Sequence, residues 1–519
     1  MRLVMMLVYG LSCWSLAGPV RAVPLPPGVE PKVLLITDET LAEAWEPFAR
    51  FKTRLGYPTQ IVTVQQIVEP YEGDDVQARI RAGVLDSIEQ RGVRYVILGG
   101  DSGPRGTGLV PDRDTLHPQM RYRDIPTDLY YLSPGESDWD ANGDGVFGDW
   151  RNDREAIAYG HPTGAAIGRI PVRTPADVAA YTDKIIAYET RYPTRDFARR
   201  MIYSNTVNGS EPKVRRSWDD YLSGVWGGGE ALRFLHTQTH WDKQRSGDFA
   251  LNTTNWLKLI NDQTAGKMHM HGHGHLPGWV LEHRTGNTFV DAQVVAQLTN
   301  QDAYLVMTTV SCFTGQFDSA RDPSIVEYML RTPRRGAVLI IAPSREGVPM
   351  FHDPRHDFRL MVTEGKLDGT TETMTRFWMN GLSPDERGRY RTAGQAFMRM
   401  KQEMTPHAER TEGYHWCQSE LNLLGDPTLD LRADDPISPA MDLPEAIAVE
   451  PTELVIRTGL TDRPGARVTL WKAEEVYQSV EVDEQGVARV TLEVKTPGDL
   501  LVTVSGPSVN AVLATIRVE

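Results

Sequence analysis

Short apolar runs alternate with amphipathic segments along most of this chain, and that alternation limits the fold more than any other feature. Lys32 to Thr37 predicts a buried strand, Leu41 to Leu55 an amphipathic helix ended by Gly56, and Thr59 to Val64 the next strand. Asp75 to Gln90 predicts a helix, and Arg94 to Leu98 another strand. The rhythm resumes with strands near Ala165 to Ile170, Met201 to Asn205, Leu232 to Thr237, Lys267 to His271, Ala303 to Val310 and Gly336 to Pro343. Thr174-Pro175 and Asp322-Pro323 each predict a helix start, a capping residue followed by proline. Strands alternating with helices imply an α/β fold, an open and mostly parallel sheet flanked by helices.

Two segments depart from the rhythm. Residues 101 to 161, rich in Gly, Pro and Asp, predict a large loop insertion, and residues 433 to 451 a linker. Beyond the linker, residues 452 to 519 contain six short alternating runs: Glu453 to Arg457, Ala466 to Trp471, Val476 to Val482, Ala488 to Val494, Leu500 to Ser505 and Ala511 to Val518. They predict a small β-sandwich of immunoglobulin-like type.

Residues 1 to 22 combine Arg2, an apolar run from Leu3 to Leu16, and small residues at Val20 and Ala22. This is the pattern of a secretory signal peptide, so the chain is expected to be secreted or periplasmic. No other apolar run approaches the ~20 residues of a membrane-spanning helix, so no integral membrane segment is expected after its removal. The formal net charge is −14, and losing Arg2 and Arg21 makes it more negative. Such a chain is a poor partner for nucleic acid. Of three cysteines, only Cys312 and Cys417 follow the leader, too few for a disulfide-stapled domain.

Chemistry concentrates at the carboxyl ends of two predicted strands. Lys267 to His271 runs into Gly272-His273-Gly274-His275, and Ala303 to Val310 runs into Ser311-Cys312. A single predicted helix near Val290 to Leu298 separates them, so the strands should be neighbours with their tips close. A thiol attacks only as thiolate, and an imidazole promotes that form and then protonates the leaving amine. The amides of Gly274 and Cys312 would supply an oxyanion hole. Taken alone, these segments fit either such a pair or a buried cysteine beside a histidine turn.

The His-Gly turn on one strand and the Ser-Cys ending on the next resemble the caspase, legumain and gingipain group, and among these the gingipain family most closely. The resemblance also covers the opening strand and helix to Gly56, the Gly168 to Val172 segment, Ser311 to Gly315, Leu424 to Pro427, and an immunoglobulin-like domain after the catalytic one. It implies a caspase-like sheet over residues 23 to 432 and a cysteine endopeptidase acting on proteins or peptides. Cys312 falls on the family's nucleophile and His273 on its catalytic histidine. No catalytic cofactor is implied, and a preference for Arg or Lys before the cut is.

Other groups carry expectations of their own. His269, His271, His273 and His275 share a face if extended, and with His352, His356 or His407 they would suit a metal-dependent hydrolase. The plainer reading gives His269 and His271 structural roles. Cys417, before an apolar run, reads as core. Asp138, Asp140, Asn142, Asp144 and Asp149 place oxygen ligands at roughly every second position around glycines and predict a structural calcium ion. A non-catalytic surface-binding protein using the sandwich and this loop is the remaining alternative.

Overall fold

A computed structural model describes residues 23–117, 122–193, 195–205, 234–238, 249–282, 288–320, 322–347, 370–410, 412–434 and 436–519. The expected leader, His352 and His356 lie outside the described residues.

Eleven strands build one sheet. They are β1 (Val33–Thr37), β2 (Thr59–Thr63), β3 (Tyr95–Gly99), β4 (Ala166–Arg169), β5 (Met201–Asn205) and β6 (Phe234–Gln238). Then follow β7 (Phe249–Ala250), β8 (Lys267–His271), β9 (Leu305–Thr309), β10 (Ala337–Pro343) and β11 (Leu421–Gly425). Their order is β2-β1-β3-β4-β11-β10-β9-β8-β5-β6-β7. Strands β1, β3, β8, β9 and β10 are buried at every position, as a sheet covered on both faces requires.

The caps follow from local chemistry. Thr174 and Asp177 form a capping box ahead of the helix Pro175–Thr190, as the Thr-Pro pair predicts. The Asp322-Pro323 expectation is corrected. Ser324 caps the helix Ile325–Arg331, because Glu327 is placed to complete a capping box with it. The first helix is also shorter than expected, Glu46–Arg54, and Gly56 follows it at φ 92°.

Three further corrections concern elements that sequence periodicity left out. The insertion contains a hairpin, Arg113–His117 with Tyr122–Thr127, and is not all loop. Ala292–Val295 is a single turn where a longer helix was expected, because part of that stretch forms a small sheet of Gly274–His275, Gly278–Glu282 and Thr288–Val290. Strand β11 enters the middle of the sheet antiparallel to β10.

The segments that follow β4 and β9 meet. Arg173, just past β4, donates to the Ser319 carbonyl, seven residues past Cys312.

The last part of the chain forms two sheets of five and two strands around a separate core that includes Leu454, Ile456, Val468, Val502 and Ile516. Val487–Glu493 alternates buried and exposed positions, which marks a strand with one solvated face. This unit docks on the first helix. Ser505 Oγ donates to Leu55 O at 3.0 Å and Tyr477 OH to Thr53 O at 3.0 Å, and a Cβ at Gly56 would lie 2.7 Å from Arg467 Cδ. The expected linker is partly built in, since Ala446–Ile447 pairs with Val512–Val518.

Candidate active site

Strands β8 and β9 pair in parallel, Met270 opposite Thr309, and the pairing continues one residue further through Val310 N–H to Met270 O at 3.0 Å. The next residues on each strand are those singled out from sequence. The two turns are in contact: a Cβ built on Gly274 would stand 2.7 Å from Ser311 Cβ and 2.8 Å from Cys312 O. Only a residue without a side chain allows that approach.

The Gly274 amide is oriented by the small hairpin. Gly274 lies opposite Trp279, and Val280 N–H donates to His273 O at 3.1 Å. That bond flanks a non-hydrogen-bonded pair, so Gly274 turns its own N–H away from the Trp279 strand. His273 itself is exposed on the turn, and Cys312 is half-buried.

A third segment closes over the cysteine. Beyond β10, the Arg345 carbonyl accepts from Phe313 N–H at 2.7 Å, and the Cys312 Sγ is 3.9 Å from Gly347 O. Phe313 is held at φ 61°, an uncommon conformation for a bulky residue and the one that turns the chain directly after the cysteine. Arg345 is fixed by two bonds to the buried Asp318 carboxylate, 3.0 and 2.6 Å, and Trp416 Nε1 donates to Glu346 O at 2.8 Å.

Burial pushes the Cys312 thiol above its ordinary value, and the charges of Glu420 and Glu346 act in the same direction. A thiol so placed rests protonated, and an attacking sulfur needs a base to take its proton.

The remaining histidines do not gather. His269 is fully buried with Nδ1 2.7 Å from Thr308 Oγ1, and burial holds it well below the usual imidazole range. Burial lowers His271 to about 4, so both rings are neutral. His275 is exposed and faces Phe289, and His407 lies against Tyr414. Among the described residues, no three His, Cys, Asp or Glu side chains are grouped as a metal ion requires. Cys417 is buried core, as expected.

The acidic loop is stitched by its own backbone. Asp140 accepts from Asp144 N and Gly145 N, both at 2.9 Å, and Asp144 from Val146 N at 2.9 Å. Asp153, which the sequence reading missed, closes the loop by accepting from Ala141 N at 3.0 Å and Asp149 N at 2.8 Å. Its carboxyl is pushed up to about 6, first by burial and then by Asp149 and Asp140. Asp153 lies two residues past the twelve-residue window counted from Asp140, which is why ligand spacing did not find it.

Residues 27–432 match peptidase family C25. The chain belongs to that family. It is a cysteine-type peptidase, a hydrolase of peptide bonds. The same fold is seen in two solved structures, the second of them from Porphyromonas gingivalis. One is of the Arg-specific cysteine proteinase gingipain R (RgpB), 18% identical with TM-score 0.66, covering 96% of this chain and 100% of that one. The other is a complex of RgpB pro- and mature domains, 18% identical with TM-score 0.64, covering 94% of this chain and 100% of that one. A search of curated protein sequences found no significant match. Family C25 membership disfavours the metal-hydrolase alternative.

Sequence reasoning about this C25 peptidase missed the groups that position Cys312. Arg345 lies two residues past an apolar strand, and Asp318 six residues past the cysteine, but no spacing rule joins them across 27 residues. Trp416 precedes Cys417 in sequence, and nothing in its neighbours marks its bond to Glu346.

Proposed function

We propose that this C25 peptidase is an exported endopeptidase in which Cys312 is the nucleophile and His273 its proton-transfer partner. The contact of Gly274 with the Cys312 turn carries this reading. The thiol proton passes to the His273 imidazole as Sγ attacks the scissile carbonyl. The oxyanion is met by the N–H groups of Gly274 and Cys312. Collapse breaks the C–N bond, the imidazolium protonates the leaving amine, and a thioester remains. Water, deprotonated by the same imidazole, then releases the acid and restores the thiol.

The substrate preference we propose is Arg or Lys before the cut. It is supported by the likeness to an Arg-specific proteinase and by the negative charges of Glu346 and Glu420 near Cys312. A mixed peptide library tests it: cleavage after basic residues is expected, and cleavage with no enrichment of Arg or Lys rejects it. Export is supported by the leader pattern of residues 1 to 22. Calcium is proposed as a structural ion of the loop from Asp138 to Asp149, with Asp153 as an added ligand. The charges of Asp140 and Asp149 already act on Asp153, and although no three of these carboxylates are gathered as a metal ion requires, a hard cation would draw them together.

A further inference from the structure

On the side of the sheet away from Cys312, a cavity of about 630 Å³ lies at the seam between the catalytic unit and the β-sandwich. Lys32 and Arg94, which lead into β1 and β3, line it together with Arg391 and the sandwich residue Arg467. Four acids line it as well, and each is engaged by the protein. Glu481 pairs with Arg389 at 2.8 Å and Glu189 with Arg432 at 3.2 Å. Asp385 accepts from the amides of Arg387 and Arg389, both at 2.9 Å, and Asp430 from Ser508 N at 2.6 Å.

The four cations are not neutralised in the same way. Arg94 and Arg391 donate only to the carbonyls of Val93 and Asn380, and Arg467 lies over the Tyr57 ring. Among the described residues, none of the four has a carboxylate within ion-pair distance. Lys32 is also held below its ordinary value, first by burial and then by the charge of Arg467, with Glu481 acting the other way. Four cations without an ion-pair partner in one concavity are unexpected in a chain of net charge −14. Six cations and four acids line the concavity, and that surplus of positive charge attracts an anion.

We propose that this cavity binds a small multivalent oxyanion of the phosphate class, held by Lys32, Arg94, Arg391 and Arg467 and joining the two domains. Three of the four are arginines, whose forked donors suit tetrahedral oxyanions. The ligand neutralises cations from both domains and so strengthens their contact. Its source is either free phosphate or a phosphate monoester.

Thermal unfolding of the full chain, at constant ionic strength and no more than about 10 mM ligand to stay clear of general salt effects, tests the proposal. Inorganic phosphate and glucose 6-phosphate are compared with chloride. A ligand that binds only the folded state raises Tm, so one or both should raise it by several degrees over chloride and titrate saturably by calorimetry. The more effective probe identifies the source. The Lys32→Gln/Arg467→Gln variant should keep its Tm in chloride and its peptidase turnover while losing the shift, with Kd at least tenfold weaker. If that variant misfolds, Arg94→Gln decides by calorimetry, with a severalfold weaker Kd expected. No shift over chloride, a shift retained in the double variant, or an unchanged Kd in Arg94→Gln would overturn the assignment.

Discussion

Gly274 stands so close to Cys312 that a methyl group on it would lie 2.8 Å from the Cys312 carbonyl oxygen. The proposed oxyanion donors are thus held by direct contact between two turns. Gly274→Ala must push them apart, and losing one oxyanion donor typically costs about 10²–10³-fold in turnover. We expect a loss of that order in kcat with KM changed much less, measured on a small peptide substrate. A fully active Gly274→Ala enzyme would show that the contact is incidental.

The raised thiol value has a direct readout. Alkylation of Cys312 by iodoacetamide should accelerate as pH rises past the range of an ordinary thiol, because burial, Glu420 and Glu346 all disfavour the thiolate. Removing one negative charge in Glu346→Gln should lower the thiol value and speed alkylation at neutral pH. Cys417, 1% exposed, is an internal control that stays unlabelled while the protein is folded. Rates followed by peptide mass spectrometry settle the sign.

Arg345 and Asp318 form a buried pair at 2.6 Å directly behind the Cys312 turn, with side chains 4% and 5% exposed. Breaking such a pair by removing one partner costs about 3–5 kcal/mol, because the other charge is left buried. Arg345→Met should lose stability of that order in urea unfolding, and adding Asp318→Asn should return part of it. Equal stability of the single and double variants would mean that the pair does not carry the coupling.

The acidic loop predicts a calcium effect that depends on pH. Asp153 has a folded value of about 6, above the ordinary carboxyl range. Without an ion, its contribution therefore favours the folded state at low pH and is lost as pH rises toward and through about 6. Calcium binding requires the ionised form, so the rise in Tm from chelator to millimolar calcium should be large at pH 7.5 and shrink at pH 5. Asp140→Ala should abolish it. A pH-independent rise, or one unaffected by Asp140→Ala, would point to another site.

Much of the architecture was legible because its strands are buried at every position and its helices start at strong caps. Thr174 with Pro175 and Asp177 is one such start. Strand β11 was not, because Leu421–Gly425 directly follows a helix with no turn residue between and so gave no boundary signal. The proposed catalytic pair stands at two strand endings that the sequence marks. Arg345, Asp318 and Trp416 were not legible, because their roles arise from tertiary contacts with the Cys312 turn. His269 and His271 alternate with His273 and His275 in sequence, but the strand ends at His271 and the chain turns at Gly272, separating two buried rings from two exposed ones.

The most direct test compares peptide turnover by wild-type, Cys312→Ala and His273→Ala enzymes, each shown by circular dichroism to be folded, with and without chelator. The account predicts no detectable turnover for Cys312→Ala, since no thioester can form. It predicts a fall of about 10²–10⁴-fold for His273→Ala, the usual worth of general acid–base assistance. Chelator should leave the chemistry itself in place. Turnover that survives Cys312→Ala and disappears with chelator would contradict the cysteine mechanism.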